Sequence, residues 1–67
     1  MELNVNGTLR TFPETVRTVR DLLVEMNLAD AFVAVEVNRG LVTRQEHETF
    51  VLHAGDFIEV VTLVGGG

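Results

Sequence analysis

Phe57-Ile58-Glu59-Val60-Val61-Thr62-Leu63-Val64, running straight into Gly65-Gly66-Gly67, decides how this 67-residue chain is read. Ile58, Val60, Thr62 and Val64 alternate against Phe57, Glu59, Val61 and Leu63, the period of a strand. Its nearly continuous apolar character suits a central strand paired along both edges. Working outward, Ala54-Gly55-Asp56 is a turn, and Gln45 to His53 has no clean period. That segment reads as a connection with a short helical turn, anchored by Phe50 and Leu52. Before it, Phe32 to Asn38 sets Val33, Val35 and Val37 on one face and Ala34 and Glu36 on the other. Asn38-Arg39-Gly40 turns the chain into a short strand at Leu41 to Thr43. At the opposite end Met1, Leu3 and Val5 alternate with Glu2, Asn4 and Asn6. Asn6-Gly7 is a two-residue hairpin signal, because both residues tolerate positive φ. Thr8 to Phe12 returns as the second strand, and Pro13 ends it by removing a ladder donor.

One helix lies between these strands. Thr18 is the expected N-cap, with Asp21 three positions on. Val19, Leu22, Leu23 and Met26 form an apolar stripe of about three turns, and Asn27 marks its end. So short a helix is marginal alone and needs a sheet to cover. The order strand, strand, helix, strand, short strand, long strand predicts an α+β fold. The expectation is a mixed sheet of four to five strands with one helix packed across one face.

Composition excludes several functions. A chain of this length holds one thin core and no deep catalytic pocket. No cysteine is present, so a disulfide framework, a thiolate metal site and a cysteine nucleophile are all ruled out. The net charge of −5 argues against nucleic acid and permits a partner with a basic face. Neither a signal-peptide pattern nor a membrane-spanning run occurs, so the expectation is a soluble cytoplasmic domain.

The glycine run stands apart. Glycine makes up about 7% of average composition, so three in succession have a chance frequency of roughly 0.03%. Without Cβ atoms the run can thread a channel too narrow for other residues. Extended, it carries the Gly67 carboxylate about 10 Å from Val64. A frayed end would have the same composition.

Other candidate sites are weaker. His47 and His53 match no metal-ligand spacing, and Glu46-His47-Glu48 reads as a solvated loop. The His-x-Glu fragment lacks the downstream cysteine pair of zinc deaminases. Glu36 and Glu59 fall on outward faces of strands expected to be adjacent, with no concave site expected around them. Gly55 belongs to a turn, and no phosphate-binding glycine motif occurs. If Ile58 and Val60 point inward, Phe57, Val61 and Leu63 point outward beside Ala34. A contiguous apolar group of that kind marks a contact surface or a homo-oligomer edge.

Taken in order, several stretches resemble the ThiS family of sulfur carrier proteins, ubiquitin-like β-grasp proteins of thiamine biosynthesis. They are Asn6-Gly7, Thr18-Val19 through Leu22-Leu23, Val33-Ala34-Val35-Glu36-Val37-Asn38, Val42 with Arg44, Gly55-Asp56 with Ile58-Glu59-Val60-Val61, and Val64-Gly65-Gly66-Gly67. One departure is Thr43, where the family usually has a proline before the arginine. The resemblance implies a β-grasp domain over 1–64 and a flexible reactive tail over 65–67. It also implies a carrier with no catalytic residue of its own and no bound cofactor or metal. A ThiF-like adenylating enzyme would use ATP and magnesium to activate the Gly67 carboxylate. Sulfur from a cysteine desulfurase would then give a C-terminal thiocarboxylate, delivered to a ThiG-like thiazole synthase. In this scheme Gly65 and Gly66 provide clearance, while Phe57, Val61, Leu63 and Val64 dock the partner. Arg44 and Glu59 would add charge contacts. The alternatives are the small subunit of molybdopterin synthase, a ubiquitin-like protein modifier, and a passive interaction module. The first of these tends to be longer and to carry prolines ahead of its glycines, unlike Thr62-Leu63-Val64.

Overall fold

The computed structural model describes residues 1–63. Strands β1 (Glu2–Val5), β2 (Thr8–Thr11), β3 (Val33–Val37), β4 (Gly40–Val42) and β5 (Phe57–Thr62) form one sheet in the order β2-β1-β5-β3-β4. Helix α1 (Val19–Glu25) connects β2 to β3. Only the β1–β5 pairing is parallel, so the sheet is mixed and the expected central position of the last strand holds.

Turn chemistry sets the registers. Asn6 and Gly7 sit at φ of 51° and 84°, and the resulting hairpin puts Val5 opposite Thr8 and Asn4 opposite Leu9. The second hairpin turn is shorter than the sequence suggests. Asn38 and Arg39 take φ of 51° and 71°, and Gly40 already pairs with Val37 as the first residue of β4. Thr43, expected in that strand, instead begins a 3-10 turn over Arg44–Glu46. Its φ of −68° is the value a proline ring would impose. The loop therefore keeps a proline-like path, and the Thr43 N–H and hydroxyl both donate to the Glu46 carboxylate, at 2.9 and 2.8 Å.

The helix spans seven residues, two turns rather than about three, between the expected N-cap Thr18 and a C-cap at Met26, just before the expected stop at Asn27. Every first-turn N–H finds an acceptor. Val19 donates to the Phe50 carbonyl, Arg20 to the His47 carbonyl, Asp21 to the Thr18 hydroxyl and Leu22 to the Thr18 carbonyl. At the far end Leu28 N–H donates to Leu23 O and Asn27 N–H to Val24 O, with Asn27 at φ 62°. That is a Schellman closure with asparagine at the left-handed position. A helix too short to persist alone is thus held by its caps and by its buried face of Val19, Leu22 and Leu23. Those three pack with Leu3, Val5, Val35, Val37, Ile58 and Val60 from the sheet.

Asp21 accepts from the Arg17 and Thr18 N–H groups, each at 3.0 Å, and these bonds lower its pKa. The backbone and hydroxyl of Thr43 lower that of Glu46 in the same way. A carboxylate with a depressed folded-state pKa stabilises the fold above its unfolded pKa and stops doing so as pH falls through the folded value. Thermal melts taken downward from about pH 5 should therefore show a declining melting temperature. Asp21→Asn should flatten that decline, and an unchanged acid slope would remove the cap from the account.

Candidate functional site

The central strand is gripped on both sides. Asn4 N–H donates to Asp56 O and Asn6 N–H to Ile58 O, each at 2.9 Å, before β1 turns away. The Asn6 side chain then takes the place of the next peptide. Its Nδ2 donates to Val60 O at 3.1 Å, and Val60 N–H donates to Asn6 Oδ1 at 2.8 Å. Asn38 does similar work on the other flank, accepting from Phe57 N–H at 3.0 Å and donating to Asp56 Oδ1 at 3.0 Å. Past Val60 the strand is held by β3, with Val33 opposite Thr62 and Leu63 N–H donating to Phe32 O at 2.8 Å. Leu63 is the last described residue. Val64, Gly65, Gly66 and Gly67, and the domain boundary expected between 64 and 65, lie outside the described residues.

Ile58 and Val60 are buried, and Phe57, Val61 and Leu63 are 63%, 55% and 53% exposed. The alternation read from the sequence is therefore the one observed, and Ala34 lies directly opposite Val61. Leu9 and Leu41 join the same outer face, both well exposed. Leu9 is opposite Asn4, itself opposite Phe57, and Leu41 is opposite Glu36. Sequence reasoning did not assign these two, although the hairpin registers set by Asn6-Gly7 and Asn38-Arg39 carry the signal.

Two expectations need correcting. Glu36 and Glu59 are opposite one another and exposed, as expected, but they border a hollow of about 450 Å³ with Asn38, Arg39 and Phe57. The tight turn at Asn38 and Arg39, both at positive φ, supplies two of the lining residues. His47 is not the exposed loop residue expected: it is 8% exposed, between exposed Glu46 and Glu48. The 3-10 turn folds the connection against the start of α1, where the His47 and Phe50 carbonyls cap the helix and Leu52 N–H donates to Arg17 O. His53 is exposed. Arg44 lies over the Phe32 ring, 5.1 Å from its centroid. Among the described residues no group of three metal-ligating side chains comes together. Nor is any described helix long and apolar enough to cross a membrane.

The geometry is thus a small domain whose central strand runs out of its sheet toward a glycine run. The model of the ThiS family matches residues 3–67. The chain belongs to the ThiS family. Two relatives agree with the chain over nearly its whole length. It is 32% identical over 65 residues to the sulfur carrier protein ThiS of Bacillus subtilis, covering 97% of this chain and 98% of that protein. The crystal structure of the thiamine biosynthesis protein ThiS from Geobacter metallireducens superposes with a TM-score of 0.83 at 32% identity, covering all of both chains. The chain is also 36% identical over 67 residues to a thiazole synthase of Paramagnetospirillum magneticum. There it covers the whole of this chain and spans a fifth of the longer protein. The five-stranded mixed sheet with one helix is the β-grasp fold of the ThiS family.

Proposed function

We infer that this chain is a sulfur carrier protein of thiamine biosynthesis, with the Gly67 carboxylate as its cargo site. The observation that carries this is a family match that runs through the glycine run itself, to residue 67. A carboxylate resists nucleophiles because its charge is delocalised and it offers no leaving group. A ThiF-like adenylating enzyme, using ATP and magnesium, converts it to an acyl-adenylate and releases pyrophosphate. A persulfide, supplied through a cysteine desulfurase, attacks the acyl carbon and AMP leaves. A second thiol attacks the cysteine-side sulfur of the resulting acyl disulfide, forming a new disulfide and releasing the thiocarboxylate, whose ionised sulfur is transferred on a thiazole synthase. A stretch resembling this chain within a thiazole synthase polypeptide supports that enzyme as the receiver. The chain is a cytoplasmic co-substrate and supplies no catalytic group.

Its own contribution is reach and address. Ordering three glycines in a partner's channel costs roughly 3–6 kcal/mol of backbone entropy. The outer face bearing Phe57, Val61 and Leu63, with Val64 beyond, offsets that cost by docking beside the tail. Gly65 and Gly66 keep the passage clear, and Glu59 adds a charge contact. Intact-mass spectrometry, after incubation with the adenylating enzyme, ATP and a sulfur donor, should show one oxygen of the chain replaced by sulfur. An unchanged mass beside a demonstrably active partner would defeat the reading.

A further inference from the structure

A second site lies on the helix side of the tail root. Arg20, Leu23, Val33, Arg44, His47 and Glu48 border a cleft of about 270 Å³. Two cationic groups are held in place around it. The Arg20 guanidinium donates to Ala29 O at 3.0 Å, and Arg44 rests on the Phe32 ring. A guanidinium placed over an aromatic face is held by the ring without using its N–H donors, which leaves them for a planar acceptor. Among the described residues no hydrogen bond or ion pair engages the Arg44 guanidinium or the Glu48 carboxylate.

His47 supplies the independent observation. More than nine-tenths of it is buried, yet among the described residues no hydrogen bond reaches its imidazole. Among the described residues no fully buried side-chain nitrogen or oxygen lacks a partner. The ring nitrogens therefore keep a small contact with solvent, and His47 is one of the residues lining the cleft. An imidazole and two guanidinium groups converge there against a single carboxylate, in a chain of net charge −5.

Position tells what comes to this cleft. Val33 in its wall is paired with Thr62, and the neighbouring Phe32 carbonyl holds Leu63. A protein that draws in the chain beyond Leu63 comes close to this rim, since Thr62 and Leu63 are held beside it. We propose that the cleft at the tail root, formed by Arg20, Arg44 and His47, receives a carboxylate side chain of the adenylating enzyme that takes the tail. This rests on the carrier reading above. Arg44 forms the bidentate contact, since its fork matches a carboxylate. Arg20 and His47 complete the anion's shell. The opposite side of the sheet carries Glu36 and Glu59, so the two faces of the tail root differ in sign. Complementary charge on the partner fixes which way round the domain docks.

The test measures affinity and adenylation with the adenylating enzyme of the same organism, using the chain ending at Gly67. Arg44→Glu is expected to weaken binding at least about tenfold, with kcat of adenylation at saturation little changed. Arg20→Glu should weaken it less, and Glu48→Gln should not weaken it at all. Added salt should loosen the wild type more than Arg44→Glu. Arg20→Glu removes only one exposed side-chain hydrogen bond and keeps the test valid if Arg44→Glu melts early. Wild-type affinity in both arginine variants overturns the cleft and leaves the carrier reading standing. A wild-type chain that an active enzyme does not adenylate overturns both.

Discussion

Removing Gly66 and Gly67 is expected to abolish adenylation while leaving the melting temperature of the domain unchanged. The shortened chain still ends in a glycine carboxylate, so its chemistry is intact and only its reach is lost. Two residues fewer draw the acyl carbon back by about 7 Å, far beyond what a nucleotide-activating site tolerates. Gly66→Ala tests clearance separately, since it keeps the length and adds one methyl group. A misplacement of about 1 Å at a reacting centre costs on the order of 10²-fold in rate, and that is the loss expected for this variant. Pyrophosphate release under single-turnover conditions reads the rate, and thermal unfolding reads the fold. Loss of stability in proportion to loss of rate would mean that the glycines belong to the domain, and the carrier mechanism would lose its moving part.

Legibility followed the range of the interactions. The hairpin at Asn6-Gly7, the Thr18 cap with Asp21 and the stop at Asn27 were readable because each is decided within four residues. The strand faces were readable because alternation is a property of the backbone. What could not be read are side chains that act at a distance. Asn6 is a turn residue by sequence, yet its carboxamide also completes the ladder to Val60, a partner 54 residues away. His47 looked solvated between two glutamates because nothing local shows that its carbonyl caps a helix beginning 28 residues earlier. The cleft it borders depends on that contact and was equally hidden. For the outer face the difficulty was one of bookkeeping across strands: Phe57, Val61 and Leu63 come from one strand's period, whereas Leu9 and Leu41 need the registers of two hairpins.

Ile58→Ala should produce the largest loss of stability, about 2–5 kcal/mol. Ile58 is 1% exposed and sits where the parallel and antiparallel halves of the sheet meet, opposite Val5 on one side and Val37 on the other. Neither neighbour can easily move to fill the space, because the next residues along, Asn6 and Asn38, donate their N–H groups to the Ile58 and Phe57 carbonyls. A domain of this length has a total stability of roughly 3–10 kcal/mol, so the variant stands near the threshold of unfolding. Urea titration should show a lower midpoint at an unchanged slope. Phe57→Ala, one residue away on the same strand, separates folding from docking. Its ring is exposed, and the bond from its N–H to Asn38 does not involve the side chain. Its cost in stability should stay within about 1 kcal/mol, the span of strand propensity, while its affinity for the adenylating enzyme falls. If both substitutions destabilise equally, the outer face is part of what holds the sheet together. If Phe57→Ala binds its partner as well as the wild type, that face is not the address, and the cleft behind it must carry recognition alone.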